Sequence, residues 1–111
     1  MSPRRDARIF SLTSGVLLLA LLGGAPASAD IDRARLAELV VQECGSCHGL
    51  TLNGGLGRPL TPEALAHRPV DLVRDIILDG LPGVPMPPWR PLLSEAEAAA
   101  IADMLKSGAL K

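Results

Sequence analysis

The pattern of hydrophobic and polar residues along this 111-residue chain predicts helices and no credible strand. Leu36, Leu39 and Val40 share one helical face, and they follow Asp32, a residue type that caps helices. A first helix is therefore predicted from this cap to about residue 43, and its end would position Cys44.

A second apolar stripe predicts a helix from about Val70 to Asp79, with Gly80 as its stop. The stripe consists of Leu72, Val73, Ile76 and Ile77.

Two further helices are predicted from their capping residues. Thr61-Pro62-Glu63 combines an N-cap, a proline at the first helical position and an acid in the first turn, but Arg68-Pro69 keeps this helix short. Ser94 and Glu97 form a capping box that opens a last helix to about Lys106. This helix is rich in alanine, so another helix can approach it closely, and the first and last helices are predicted to meet there. The fold class is therefore all-α, with three to four helices.

The first 29 residues are interpreted as a cleaved export signal, which leaves residues 30–111 as a single domain. Arg4, Arg5 and Arg8 precede an apolar run at 16–22, and Ala27-Ser28-Ala29 offers a small-x-small cleavage site. The run is too short for a helix across a hydrocarbon core of roughly 30 Å, although an uncleaved anchor stays an alternative. Export predicts a periplasmic protein.

Composition narrows the function of residues 30–111. They hold eight Lys/Arg against eleven Asp/Glu, a balance that argues against nucleic-acid binding. Trp89 is their single aromatic residue. A domain this small and this poor in large side chains needs a disulfide, a metal or a cofactor to complete its core.

Residues 44–49 read CGSCHG, and C-x-x-C-H is the attachment sequence for c-type haem. The thiols of Cys44 and Cys47 add to the haem vinyl groups as thioethers, and the two-residue spacer matches the distance between those groups. His48 then falls beneath the iron as its proximal ligand. The sequence thus predicts one covalently bound haem c.

Three rival interpretations of these residues are weaker. A thioredoxin-like motif needs a strand–helix context, which is not apparent. A zinc site would have to recruit His67, nineteen residues beyond His48, with no second tight pair of ligands. A structural disulfide gives His48 no role.

The stretch Leu81 to Pro91, LPGVPMPPWRP, predicts a stiff loop around Met86. Five of the chain's ten prolines lie in it, and proline excludes both helix and central strand. A methionine sulfur opposite His48 would give His/Met ligation, which raises the reduction potential. Prolines reduce the entropy lost when a weak thioether ligand is held at the metal. Met86 is therefore the predicted sixth ligand.

Two other residues stay open as sixth ligands. Met104 has the helical spacing of a core methionine, and His67 would give a bis-histidine site unless it is a solvated turn residue. Near the site, a carbonyl close to Pro59 is expected to accept the Nδ1 proton of His48. Arg58 is a candidate partner for a haem propionate, or else a solvated arginine, and Trp89 a candidate cover for the haem edge.

On these residues the chain resembles the small class I cytochromes c over the whole of residues 30–111. The stretches CGSCHGLTLNGGLGRPLTPEAL and LPGVPMPPWRPLLSEAEA are similar to the cytochrome c55X group, small periplasmic cytochromes encoded with the cd1 nitrite reductase of denitrifying bacteria. The resemblance implies a monomeric electron carrier whose partners are nitrite reductase or the proteins that mature d1 haem. The chain departs from many class I members because it lacks an aromatic pair where the terminal helices meet.

No acid–base pair or open metal position is apparent, so an enzyme is not predicted. Two other functions stay open: a maturation partner for d1 haem, and a haem-based gas sensor from which Met86 departs readily.

Overall fold

The computed structural model describes residues 30–110, and within this range the chain is helical with no strand. The all-α prediction is confirmed. The predicted export signal at residues 1–29 lies outside the described residues. Of the helices described, none has the length and apolarity needed to cross a membrane. The elements are α1 (Arg33–Leu39), a π-helical segment (Val40–Cys44), α2 (Gly45–His48), α3 (Pro62–Leu65), α4 (Val70–Asp79) and α5 (Glu95–Ser107).

The N-terminal helical stretch is longer than the sequence pattern predicts. Asp32 caps α1 by accepting a hydrogen bond from the Arg35 N–H at 2.9 Å, as expected. The helix does not end near residue 43, because a π-helical turn follows in which the Gly45 N–H bonds the Val40 carbonyl. The stretch continues to His48 and ends at Gly49, whose φ is 87°. The whole C-x-x-C-H sequence is therefore helical.

The buried face of α4 differs from the predicted stripe. Val73, Ile77 and Leu78 are buried, whereas the Leu72 side chain is 44% exposed. Because α4 packs against α5, this contact selects a face that is rotated towards Leu78. Gly80 ends the helix with φ 68°, as predicted.

Helix α5 is the central element, since it contacts α1, α3 and α4. The predicted capping box is confirmed: the Glu97 N–H donates to Ser94 Oγ at 3.1 Å, and the Ser94 N–H donates to the Glu97 carboxylate at 2.9 Å. Ala98 and Ala102 are fully buried, and so are Leu36 and Val40 of the N-terminal stretch. The first and last helices are in contact, as predicted, and the alanines of α5 that are buried leave room for close packing.

Salt bridges and a buried aliphatic cluster hold these helices together. Arg33 and Arg35 of the N-terminal stretch form salt bridges with Asp103 and Glu97 of α5. The core is aliphatic, with Trp89 only half-buried at its border. Its members outside α1 and α4 are Val40, Leu52, Leu65, Leu93, Ala98, Ala100, Ile101, Ala102, Met104 and Leu105.

Helix α3 is short, as Arg68-Pro69 predicts, and it is tied to α5 at its C-terminal end. Thr61 Oγ1 caps its start by accepting from the Ala64 N–H at 3.3 Å. At the other end, Lys106 Nζ donates to the carbonyls of Leu65 and Arg68 at 2.6 and 2.5 Å. The Leu65 carbonyl also accepts from the Arg68 N–H at 3.0 Å, so Lys106 adds a charged donor to it and to the Arg68 carbonyl just after this short helix.

Candidate functional site

The two cysteines lie one turn apart on the N-terminal helical stretch. They form no disulfide: Cys44 is half-buried and packs against the core, and Cys47 is exposed. Burial, reinforced by the Glu43 carboxylate, raises the pKa of the Cys44 thiol to about 11. A thioredoxin-like reaction requires a thiol whose pKa is lowered, so this environment argues against that rival.

His48 is held in one tautomer by a backbone carbonyl. Its Nδ1 lies 2.6 Å from the Arg58 carbonyl oxygen. A carbonyl only accepts, so Nδ1 carries the proton and donates it, which leaves the lone pair of Nε2 free. The prediction of a carbonyl acceptor near Pro59 is thus confirmed, and the acceptor is the carbonyl of Arg58. Histidines that ligate metals commonly have their second ring nitrogen fixed in this way.

The glycine-rich loop at residues 49–60 wraps around the end of the C-x-x-C-H helix. The Gly57 N–H donates to the Cys47 carbonyl at 2.7 Å, and the Gly54 N–H donates to the His48 carbonyl at 2.8 Å. A Cβ at Gly57 would lie 2.7 Å from both Cε1 and Nδ1 of His48. The loop backbone therefore packs directly against the imidazole ring. The sequence shows a glycine-rich loop here, but only the contact identifies Gly57 as the residue beside the ring.

Met86 lies in the predicted loop between α4 and α5, where it is half-buried. The Leu81 N–H donates to the Met86 carbonyl at 3.3 Å. After the methionine, the backbone N–H of Trp89 donates to the Ile77 carbonyl at 3.1 Å, and that of Arg90 donates to the Leu78 carbonyl at 3.0 Å. The end of α4 thus anchors the loop on the C-terminal side of Met86, and a hydrogen bond within the loop holds the Met86 carbonyl to Leu81.

The remaining residues that the sequence suggested as ligands or haem contacts are not grouped with the cysteines, His48 and Met86. Met104 is 3% exposed in the core, which confirms its interpretation as a packing residue. His67 is exposed in the turn after α3, as the alternative of a solvated turn residue requires. In the described part of the chain, no three His, Cys, Asp or Glu side chains are grouped to hold a metal ion, so the zinc set with His67 is not assembled. Arg58 is exposed.

Comparison with known proteins places this arrangement in a family. Residues 32–105 match the family described as cytochrome c oxidase, cbb3-type, subunit III. Over 92 residues the chain is 56% identical to cytochrome c55X of Paracoccus denitrificans, covering 80% of this chain and 89% of that protein. The chain belongs to the c55X group of class I c-type cytochromes.

Other relatives and solved structures agree with this family. Cytochrome c55X of Pseudomonas aeruginosa is 51% identical over 76 residues, covering 68% of this chain and 64% of that protein. The solved structure of the c-type cytochrome NirC is 49% identical with a TM-score of 0.69, covering 70% of this chain and 92% of that one. The dihydro-haem d1 dehydrogenase NirN is 35% identical with a TM-score of 0.59, but the match covers 62% of this chain and only 15% of NirN.

As a c-type cytochrome, this c55X protein is an electron carrier with a covalently bound haem c. Its residues fit that group. The tautomer of His48 presents a free Nε2 lone pair, and the sulfurs of Cys44 and Cys47, which form no disulfide, lie on the same helical stretch. An imidazole with a fixed outer hydrogen bond and a pair of thiols are the donors that haem c requires.

Proposed function

We propose that this cytochrome c55X is a periplasmic one-electron carrier of the dissimilatory nitrite reductase system. In this proposal Cys44 and Cys47 would hold haem c through thioethers, and His48 and Met86 would supply the two protein ligands of its iron. Residues 1–29 direct export and are removed, and residues 30–111 form the carrier. When bound, haem c supplies a one-electron couple at its iron.

The hydrogen bond from His48 Nδ1 to the Arg58 carbonyl carries the assignment of the proximal ligand. It fixes the imidazole plane and selects the tautomer with a free Nε2. Gly57 blocks movement of the ring on the side of the loop. These two contacts orient the His48 ring.

Met86 is proposed as the sixth ligand because it is a methionine outside the core, in a loop whose C-terminal side is hydrogen-bonded to the end of α4. Met104, by contrast, is packed in the interior. A permanent thioether ligand favours the reduced iron and leaves no open position, which suits electron transfer and not gas binding.

Absorption spectroscopy of matched variants tests the ligand assignment. Met86→Ala should abolish the weak sulfur-to-iron charge-transfer band of the oxidised protein and lower the reduction potential. Met104→Ala removes the same side chain from the core, so it should reduce stability by about 2–5 kcal/mol and keep the band. Loss of the band in Met104→Ala alone would show that the assignment is wrong.

The link to nitrite reduction is supported by the c55X relatives and by the likeness to NirN, whose name identifies d1 haem chemistry. The proposed carrier delivers single electrons to cd1 nitrite reductase. The likeness to NirN favours a second candidate function, in which the protein accepts or supplies electrons while d1 haem is matured.

Electron-transfer kinetics separate the two candidates. The reduced protein is mixed with purified cd1 nitrite reductase, and the oxidised protein with a dihydro-haem d1 dehydrogenase and its substrate. Transfer to the reductase much faster than from a nonspecific cytochrome of similar potential supports the carrier. A reductase rate no better than that control, with fast reduction by the dehydrogenase, supports the maturation function.

A further inference from the structure

Arg90 joins the two ends of the Met86 loop through its side chain. Its Nε lies 2.8 Å from Asp79 Oδ1 and its Nη2 lies 3.0 Å from Asp79 Oδ2, so the two planar groups meet in a bidentate pair. Asp79 is the last residue of α4, and Arg90 lies at the C-terminal end of the loop. Arg90 Nη1 also reaches Glu95 Oε1 at 3.4 Å, in the first turn of α5.

The loop between these two residues has weak internal support. Four prolines at 82–88 have no N–H to donate, and the Leu81–Met86 hydrogen bond is long at 3.3 Å. Two backbone hydrogen bonds fasten the loop's C-terminal side to Ile77 and Leu78. The side-chain pair of Arg90 and Asp79 is a further connection between the end of α4 and the C-terminal end of the loop.

This pair contributes little to global stability. The side chains of Arg90 and Asp79 are 50% and 58% exposed, and ion pairs in that setting are weakened by water and salt. Its bidentate geometry nevertheless restricts orientation as well as distance. The main effect of such a contact is to limit the distance by which the two ends of the loop can move apart.

We propose that Arg90, through its paired hydrogen bonds to Asp79, is a positioning residue that keeps the Met86 sulfur from leaving its ligand position. The inference rests on the proposed role of Met86 as an axial ligand. With the pair intact, fewer open conformations of the loop are available, so a weak thioether bond is broken less often. Without it, only the backbone hydrogen bonds and the packing of Trp89 against the core hold the loop.

Arg74 supplies a matched control on the same helix. Its guanidinium contacts two carboxylates, Asp75 at 2.8 Å and Asp71 at 3.1 Å. All three residues belong to α4, so this cluster does not span the Met86 loop. Arg74→Gln therefore removes the same charge and comparable contacts while the loop ends stay paired.

The experiment measures the rate at which carbon monoxide binds to the reduced holoprotein at saturating gas, where departure of the methionine limits the rate. Arg90→Gln and Asp79→Asn should each raise this rate about two- to five-fold, the factor that corresponds to an exposed ion pair. The double variant should be no faster than Arg90→Gln alone, because Arg90→Gln already removes the contact to Asp79 that Asp79→Asn weakens. Arg74→Gln should bind at the wild-type rate.

Wild-type rates in both loop-end variants would overturn the inference, and so would an equal increase in Arg74→Gln, which would indicate general loosening. Arg90→Lys keeps the charge but loses the bidentate contact, so its rate should lie between wild type and Arg90→Gln. Failure of the proposed ligation is seen separately, as an unchanged sulfur-to-iron band in Met86→Ala.

Discussion

Gly80 occupies a position where an alanine side chain would strain the backbone and strike the Met86 loop. Its φ of 68° and ψ of −169° lie in a region that is essentially restricted to glycine. A Cβ at this position would lie 2.5 Å from the Met86 carbonyl oxygen and 3.1 Å from the Pro87 carbonyl carbon. These are backbone atoms, so no side-chain rotation relieves the contact.

Gly80→Ala should therefore reduce the free energy of unfolding by two additive contributions. Backbone strain of this kind contributes about 1–3 kcal/mol. Forcing an extra methyl group against packed atoms contributes about 1–3 kcal/mol more. The total of about 2–6 kcal/mol is a large share of the roughly 5–15 kcal/mol that stabilises most small domains.

Gly83→Ala is the matched control, because Gly83 lies in the same loop with φ 78° but a Cβ added to it would meet no atom within 4 Å. It should show the backbone strain alone, about 1–2 kcal/mol. Urea unfolding followed by far-UV circular dichroism gives both values, and the sulfur-to-iron band reports whether Met86 is displaced. Gly80→Ala should weaken that band and Gly83→Ala should keep it. Equal losses of stability with the band intact in both variants would refute the reasoning.

Three further predictions concern His48, α3 and the start of α5. Gly57→Ala should displace the His48 ring, because the added Cβ would lie 2.7 Å from the ring. A shifted Soret band or poor haem incorporation would show the displacement, and an unchanged spectrum would contradict the prediction. Lys106→Met should lower the unfolding free energy by about 1.5–3 kcal/mol, because two carbonyls lose a charged donor; a wild-type urea midpoint would contradict this. The hydrogen bond from the Ser94 N–H lowers the pKa of Glu97. Ionised Glu97 therefore stabilises the folded protein at pH values above the ordinary glutamate pKa, and this stabilisation is lost as the pH falls through the lowered pKa. The stability difference between wild type and Glu97→Gln should accordingly shrink on acidification below about pH 4, and a constant difference would count against it.

Local features of the fold were predictable because their determinants lie within a few residues of each other. The Ser94–Glu97 capping box and the Thr61 cap each depend on a backbone N–H three residues away. Gly80 ends α4 because of its own backbone angles. The C-x-x-C-H sequence is likewise contiguous, so its chemistry could be recognised before any fold was known.

Other features depended on contacts between residues that are distant in sequence. Periodicity predicted Leu72 inside, but packing against α5 buries Leu78 instead. The π-helical turn carries the first helix beyond residue 43, and helical periodicity does not register such a turn. Neither outcome follows from the residues of one helix alone.

The sequence by itself determined the helical class, the caps and the C-x-x-C-H attachment residues, because these are properties of short contiguous stretches. Only the tertiary structure decided that the Arg58 carbonyl accepts the His48 proton, that Gly57 packs on the ring and that Arg90 pairs with Asp79 across the Met86 loop. Each of these contacts joins residues nine to eleven positions apart through a loop. The path of a loop is set by what its ends and glycines pack against, which no local pattern encodes.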